Sequence, residues 1–148
     1  MRPILTSAFL LVFLCSCSKK AAEELGHAFF NSTPGPLNIV TYAKSSEFTE
    51  LVLPNSLSEE WINPNTLDIL ESINSYLDSI SIYDNNSHLI CKFTKTTTFN
   101  YRGNPFTDRD KWLFQGVKRE KRRTQTTTYV NVHEYWCKIE YDSIIVHP

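Results

Sequence analysis

The chain has 148 residues, of which 41% are hydrophobic, and it carries 15 Lys and Arg residues against 16 Asp and Glu residues, for a net charge of −1 at pH 7. This length suits a single domain with one modest core. The near-neutral balance lacks the strong positive charge typical of nucleic-acid-binding proteins, so we expect no nucleic acid as a partner.

The N-terminus has the pattern of a targeting segment. Arg2 supplies a positive charge, and an apolar stretch follows from Ile4 to Leu14, interrupted by Thr6 and Ser7. A transmembrane helix needs about 20 apolar residues, and this stretch is shorter. The pattern therefore predicts a signal peptide that is removed and does not belong to the fold.

The end of this segment, Leu14-Cys15-Ser16-Cys17, resembles the lipobox of bacterial lipoproteins, although Cys15 stands where that family usually has Ala, Ser, Thr, Val or Ile. The resemblance implies that residues 1–16 are cleaved off. It also implies that Cys17 carries a diacylglycerol on its thiol and an acyl chain, such as palmitate, on its amino group. Ser18 after the cysteine implies delivery to the outer membrane, facing the periplasm or the cell surface. Several acyl chains on one residue make a permanent anchor.

An alternative interpretation is an ordinary secretory signal, cleaved near Ser16 or Ser18 in a eukaryote, that leaves a soluble product. Two N-glycosylation sequons, Asn31-Ser32-Thr33 and Asn85-Asn86-Ser87, would suit it. Such triplets also arise by chance in a chain rich in Asn and Ser. We favour the lipoprotein because the apolar stretch ends at the right distance from Cys17.

Residues 17–148 are predicted to form one domain, with residues 17–20 as a short tether. An apolar stripe predicts a first helix over residues 18–30, ended by the turn-forming residues 31–36. Short strands are expected from Leu37 to Tyr42 and from Phe48 to Leu53. A second helix is predicted from Pro64 to about Ile80, because its apolar residues follow i, i+3, i+4 spacing and Asn63-Pro64 suits a helix start.

After Tyr83 the pattern changes to that of strands. The turn Asp84-Asn85-Asn86-Ser87 opens runs rich in Thr, Val, Ile and aromatic residues, at 88–101, 111–118, 124–136 and 137–146. Helices followed by strands predict an α+β fold, with N-terminal helices packed on one bent antiparallel sheet of about four to five strands. This order of elements resembles the cone-shaped cystatin or nuclear-transport-factor-2-like folds.

Two cysteines and two histidines form the one constellation with metal-binding residue types: His88, Cys91, His133 and Cys137. A zinc site is conceivable, but three-residue spacing on a strand puts His88 and Cys91 on opposite faces. Thiols of an exported protein usually oxidise, so we predict a Cys91–Cys137 disulfide and no bound metal or other cofactor. Closing that loop would stabilise the fold by about 4 kcal/mol in the chain-entropy model.

Charge is unevenly distributed along the chain. Residues 45–91 contain no Lys or Arg, whereas residues 92–123 have a net charge of +7. The tightest cluster, expected at a hairpin tip, contains Lys118, Arg119, Lys121, Arg122 and Arg123. It suits a docking surface for an acidic protein or for anionic lipid headgroups. Equally, it suits a sheet edge whose positive charges pair with the acidic helices and prevent aggregation.

The sequence contains no Gly-rich phosphate loop, no HExxH motif and no nucleophile elbow, so we expect no enzyme activity. Two functional hypotheses remain. The first is a membrane-anchored lipoprotein that binds a protein partner in the cell envelope, as an accessory of an envelope or secretion assembly or as an immunity or inhibitor protein. The alternative is a domain that binds a small ligand on a concave, aromatic-lined sheet.

Overall fold

A computed structural model describes residues 21–123 and 127–145, which form nine strands, one α-helix and two 3-10 turns. The helix, α1, spans Ile69–Tyr76, and the 3-10 turns span Arg109–Lys111 and Tyr141–Ser143. The strands are β1 Ala22–Asn31, β2 Leu37–Ala43, β3 Ser46–Val52, β4 Trp61–Asn63, β5 Ser79–Tyr83, β6 Leu89–Thr94, β7 Thr98–Phe99, β8 Trp112–Arg123 and β9 Thr127–Ile139.

The strands form two sheets, one ordered β4-β1-β9-β8 and the other β3-β2-β5-β6-β7. Adjacent strands are antiparallel, except that β1 runs parallel to β9. Both sheets and α1 contribute to one core cluster, which includes Phe29 and Ile139 from the first sheet, Ile82 and Phe93 from the second, and Ile73 from α1. The expected α+β cone, with N-terminal helices on a single bent sheet, is therefore wrong. The core is built mainly between two sheets.

The helix predicted over residues 18–30 is instead, within the described part, strand β1. Its residues from Leu25 to Phe29 are all buried, because β1 lies between β4 and β9 and both of its faces are covered. A strand buried on both faces loses the alternation of polar and apolar residues that identifies a strand in a sequence. On one face the Glu60 side chain approaches Gly26 so closely that an added Cβ there would collide with its carboxylate.

The second predicted helix is much shorter than expected. It begins after Asp68, whose side chain accepts hydrogen bonds from the backbone N–H groups of Leu70 and Glu71 at 2.9 and 3.2 Å. The expected start at Asn63 is wrong, because its side-chain oxygen accepts from the Asn65 N–H and closes a separate turn. Beyond Leu77 the chain forms β5, a central strand paired with β2 and β6. Tertiary pairing here outweighs the helical spacing.

The other strand predictions are largely confirmed. The runs at 37–42 and 48–53 correspond to β2 and β3, the run at 88–101 holds β6 and β7, and a turn occurs at Asp84–Ser87. The expected turn at residues 118–123 is wrong, because β8 continues to Arg123 and pairs there with Thr127. The run expected at 137–146 begins inside β9, and a 3-10 turn follows Ile139.

Asn31 closes the end of β1. It is fully buried, and its amide donates hydrogen bonds to the carbonyl oxygens of Gly35 and Val52, both at 2.9 Å. Its side-chain oxygen accepts from the backbone N–H and the hydroxyl of Thr33. A glycan on Asn31 would destroy this arrangement, so the first sequon is structural in the folded protein.

A search of the described residues for a membrane-spanning helix finds none that is long and apolar enough.

Candidate functional site

A concave site lies where β3 faces the segment leading into β4. It is an open cleft of about 620 Å³, called the acidic cleft here, whose walls include the side chains of Phe29, Glu47, Phe48, Glu50, Glu59, Glu60 and Trp61. Four glutamates line it, and no Lys, Arg or His does. The negative charge of residues 45–91 is therefore gathered, in part, around one cavity.

Glu50 is a partly buried carboxylate of the acidic cleft. Its two carboxylate oxygens share the backbone N–H of Glu59, at 2.8 and 3.0 Å. Burial raises the pKa of Glu50; the bond from Glu59 lowers it and the charge of Glu59 raises it, with a net increase. The Glu50 carboxylate accepts from a single donor, and burial disfavours its charged form. A cation bound in the cleft would therefore stabilise that charged form.

The other three glutamates differ in how they are held. The Glu60 carboxylate accepts from Lys118 Nζ at 2.8 Å. Glu47 interacts with the Tyr42 hydroxyl, and this hydrogen bond is the main reason why the pKa of Tyr42 is raised. Within residues 21–123 and 127–145, Glu59 makes no ion pair. Three of the four carboxylates, those of Glu47, Glu50 and Glu59, are thus without a cation among the described residues, and only Glu60 pairs with one.

Aromatic rings form another wall of the acidic cleft. The Phe48 ring, which is 50% exposed, stands edge-on to Trp61 with 5.8 Å between centroids. Trp61 in turn packs against Tyr76, whose hydroxyl donates to the Ile62 carbonyl at 3.0 Å and ties β4 to α1. Ring faces beside carboxylates are the surroundings in which ammonium and guanidinium groups bind.

The Ser58 hydroxyl in the wall of the cleft has a structural role. Ser58 Oγ accepts from the Phe29 backbone N–H at 2.8 Å and donates to the Glu59 carbonyl at 3.2 Å. It is therefore engaged on both sides and fixes the segment before β4 against β1. The arrangement suits the binding of a cation rather than attack by a nucleophile.

The five basic residues predicted as one patch fall on two faces of β8. Lys118 and Arg122 share a face with Glu120, called the paired face here. Lys118 Nζ lies 2.8 Å from Glu60, 3.0 Å from Glu120 and 2.8 Å from Glu134. Burial lowers the pKa of Lys118, but the hydrogen bonds that it donates to Glu134, Glu60 and Glu120 outweigh this effect and raise the pKa overall. Arg122 pairs with Glu24 and Glu120.

The remaining three, Arg119, Lys121 and Arg123, lie on the opposite face, called the basic face here, because successive strand residues point to opposite sides. All three are exposed. None makes an ion pair with the part of the chain that the structure describes, and the Arg119 guanidinium lies 4.1 Å from the centre of the Tyr129 ring. Glutamates of the sheet and of the segment before β4 thus neutralise Lys118 and Arg122, whereas the three residues of the basic face remain available to bind a partner.

Cys91 and Cys137 lie in the same core cluster, on β6 and β9, and so belong to different sheets. Both are buried thiols in this structure. Burial is the main cause that raises the pKa of each to about 12, and for Cys137 it outweighs the opposing charge of Lys111. The predicted disulfide stays a prediction, and it would join the two sheets rather than neighbouring strands.

The structure does not bring the histidines to the cysteines. His88 is exposed and pairs with Asp84 at 3.4 Å, whereas His133 Nε2 lies 2.7 Å from Glu23. Among the described residues no three His, Cys, Asp or Glu side chains are placed to hold a metal ion. The conceivable zinc set is therefore not assembled.

His27 is a buried histidine whose role no sequence pattern predicts. It is fully buried on β1, and neither ring nitrogen bonds to any described residue. Burial lowers its pKa to about 4. Trp112 contacts the His27 ring edge-on.

Cys17, the predicted lipidation site, lies outside the described residues. Comparison of the chain with protein-family models, curated proteins and solved structures yields no match.

The acidic cleft was not predicted as a site. Its signal was present, because residues 45–91 lack Lys and Arg while holding Glu47, Glu50, Glu59 and Glu60. The missing information was that β3 and the segment before β4 face each other. That approach depends on pairing between β1 and β4 and cannot be read from local spacing.

Proposed function

We propose that this chain is a lipid-anchored lipoprotein of the outer membrane, facing the periplasm or the cell surface, that binds a cationic side chain of an envelope protein in its acidic cleft. The observation that carries the proposal is the cleft itself, with four glutamates, the exposed ring of Phe48 beside the partly buried Trp61, and no Lys, Arg or His in its lining. In this view the protein is a binding module and not an enzyme.

The chemistry of the cleft favours a Lys or Arg side chain. The aliphatic stem would lie against Phe48 and Trp61, while the charged end would reach Glu50 and Glu59. Such an end placed over a ring gains cation–π attraction in addition to the ion pair. Because a bound cation favours the charged form of Glu50, binding would lower the pKa of Glu50 and release protons below neutral pH.

A free organic amine offers the same cationic chemistry as a protein side chain. The volume of about 620 Å³ is in the range of small-molecule sites, so a small amine is the second candidate. The two sources differ in what surrounds the cation. A protein partner would also contact the surface around the cleft, where Phe48 is 50% exposed.

The test combines crosslinking with binding measurements. A photoreactive amino acid in place of Phe48, introduced into the protein in its native envelope, should crosslink to one protein, identified by mass spectrometry at a Lys- or Arg-containing segment. The same group in place of exposed Asp142 serves as the control. Equal crosslinking from both positions, or no protein at either, would contradict protein binding.

Calorimetry then separates the two sources of the cation. Titration with putrescine and with a peptide from the crosslinked segment should show tighter binding of the peptide. E50Q and Phe48→Ala should weaken it about tenfold or more, whereas Asp142→Asn should not. Equal affinity for putrescine would favour the small-ligand candidate.

The anchor is tested independently. Cys17→Ser should abolish acylation, leave the precursor unprocessed and remove the protein from the detergent phase. Normal partitioning of the variant would disprove the lipid anchor without bearing on the cleft.

A further inference from the structure

The parallel pairing of β1 with β9 determines where the anchored end of the domain lies. Ala22, the first residue of β1, pairs with Val130, and Asn31 pairs with Ile139 at the other end. Val130 also faces Glu120 of β8, and the two strands of this hairpin end at Arg123 and Thr127. The start of β1 and the end of the hairpin are therefore at the same end of the sheet.

The distances involved are short. From Thr127 to Val130 is three residues, or about 10 Å along a strand. Cys17 precedes Ala22 by five residues, which span at most about 18 Å when fully extended. Acyl chains on Cys17 would thus hold this end of the sheet, and with it the hairpin end, beside the membrane surface.

The charge of this end suits a negatively charged membrane. On the basic face, Arg119, Lys121 and Arg123 are exposed and without an ion pair to the described residues. Glu23, the acid on β1 at this level, accepts hydrogen bonds from Asn131 and His133. Tyr129, stacked with Arg119 and 43% exposed, supplies the amphipathic ring that is frequent at membrane interfaces.

We propose that the basic face of β8, formed by Arg119, Lys121 and Arg123, rests on anionic phospholipid headgroups of the membrane that holds Cys17. This inference rests on the proposed lipid anchor. Contact with the membrane orients the domain: the surface attracts the basic face and repels the glutamates of the acidic cleft, which begins beside Gly26, further along β1. The cleft is thereby directed away from the lipid, toward a partner.

The experiment uses the acylated protein purified from its membrane and reconstituted into vesicles. A fluorophore is attached through Val117→Cys, an exposed position two residues before Arg119 on the basic face, and spin-labelled headgroups quench it. Cys91 and Cys137 do not interfere because they are buried. Quenching should be strong in vesicles of phosphatidylcholine with phosphatidylglycerol and weak in phosphatidylcholine alone or at high salt. The same label at Asp142→Cys, after the far end of β9, should stay unquenched.

Replacing Arg119, Lys121 and Arg123 with Gln should reduce the equilibrium constant for contact between the domain and the membrane about a hundredfold. Each basic side chain near an anionic membrane contributes a factor of about five. The matched control replaces Lys92, Lys95 and Lys138 with Gln and should leave quenching unchanged. Quenching that requires lipopolysaccharide instead of phosphatidylglycerol, or that ignores lipid charge, would overturn the proposal.

The intact mass of the purified protein distinguishes the two possible failures. A mass without acyl chains overturns both the anchor and this orientation. A correctly acylated protein whose label is insensitive to lipid charge overturns the orientation alone and leaves the proposed function standing.

Discussion

The imidazole of His27 stands edge-on to the indole of Trp112, with 5.4 Å between ring centroids and 79° between their planes. An imidazole in this position stays neutral, because no described group bonds its nitrogens and burial lowers its pKa from 6.5 to about 4. The unfolded chain takes up a proton near pH 6.5, whereas the folded chain resists it to about pH 4. His27 therefore costs no stability above pH 6.5, and the free energy of unfolding declines as the pH falls from 6.5 to about 4.

We predict that His27 removes about 3 kcal/mol from the free energy of unfolding between pH 7 and pH 4. His27→Leu should flatten this part of the pH dependence and should not destabilise the protein at pH 7, because it removes a buried polar group without hydrogen bonds. Urea unfolding followed by tryptophan fluorescence measures both effects. His88→Gln, on an exposed turn, is the control; the same pH slope in His27→Leu and the wild type would refute the assignment.

Asn31→Ala should lower the free energy of unfolding by about 3 kcal/mol, since it removes four hydrogen bonds and leaves buried backbone groups without partners. Thermal and urea unfolding should show the change. Asn85→Ala, in the exposed turn of the other sequon, should change stability by less than about 0.5 kcal/mol. Equal changes in the free energy of unfolding for the two substitutions would show that the buried hydrogen bonds of Asn31 do not stabilise the fold.

Lys118→Met should destabilise the protein by about 2 kcal/mol at pH 7, because Glu60, Glu120 and Glu134 would face one another without their shared cation. The hydrogen bond from Lys118 is the main reason why the pKa of Glu120 is lowered. This contribution is present above the ordinary Glu pKa and is lost as the pH falls, so the effect of Lys118→Met should shrink at acid pH. Lys121→Met, on the basic face, should have little effect at either pH. A loss that is independent of pH would count against the network.

Cys91 and Cys137 should be joined in the exported protein, and mass spectrometry without reduction should show two hydrogens fewer and no alkylation at these positions after denaturation. Replacing both with Ala should lower stability by about 4 kcal/mol in the chain-entropy model. The reduced wild type should match the double variant. Two alkylatable thiols in the unreduced, denatured protein would refute the disulfide.

The hydrophobic pattern of the sequence by itself determined those elements whose two faces differ or whose ends carry turn residues. β2 and β3 were recognisable because each combines β-branched or aromatic residues with a polar neighbour, and Asp84–Ser87 because its side chains favour turns. The middle of α1 was recognisable from its apolar spacing. The composition likewise showed where negative charge is concentrated.

Only the tertiary structure decided the rest. β1 has the apolar pattern of a helix, but β4 and β9 pair with its two edges and its middle is buried on both faces. Ser79–Tyr83 continues a helical pattern, but β2 and β6 pair with it as a strand. One run of basic residues becomes two opposed faces because β8 extends through it, and distant glutamates then neutralise Lys118 and Arg122. The acidic cleft exists only because non-local pairing brings residues from β3 and β4 together. The spacing of residues along the chain indicates which secondary structure a segment favours locally. Burial, ion pairing and cavities arise from contacts between residues far apart in the chain, so local spacing does not predict them.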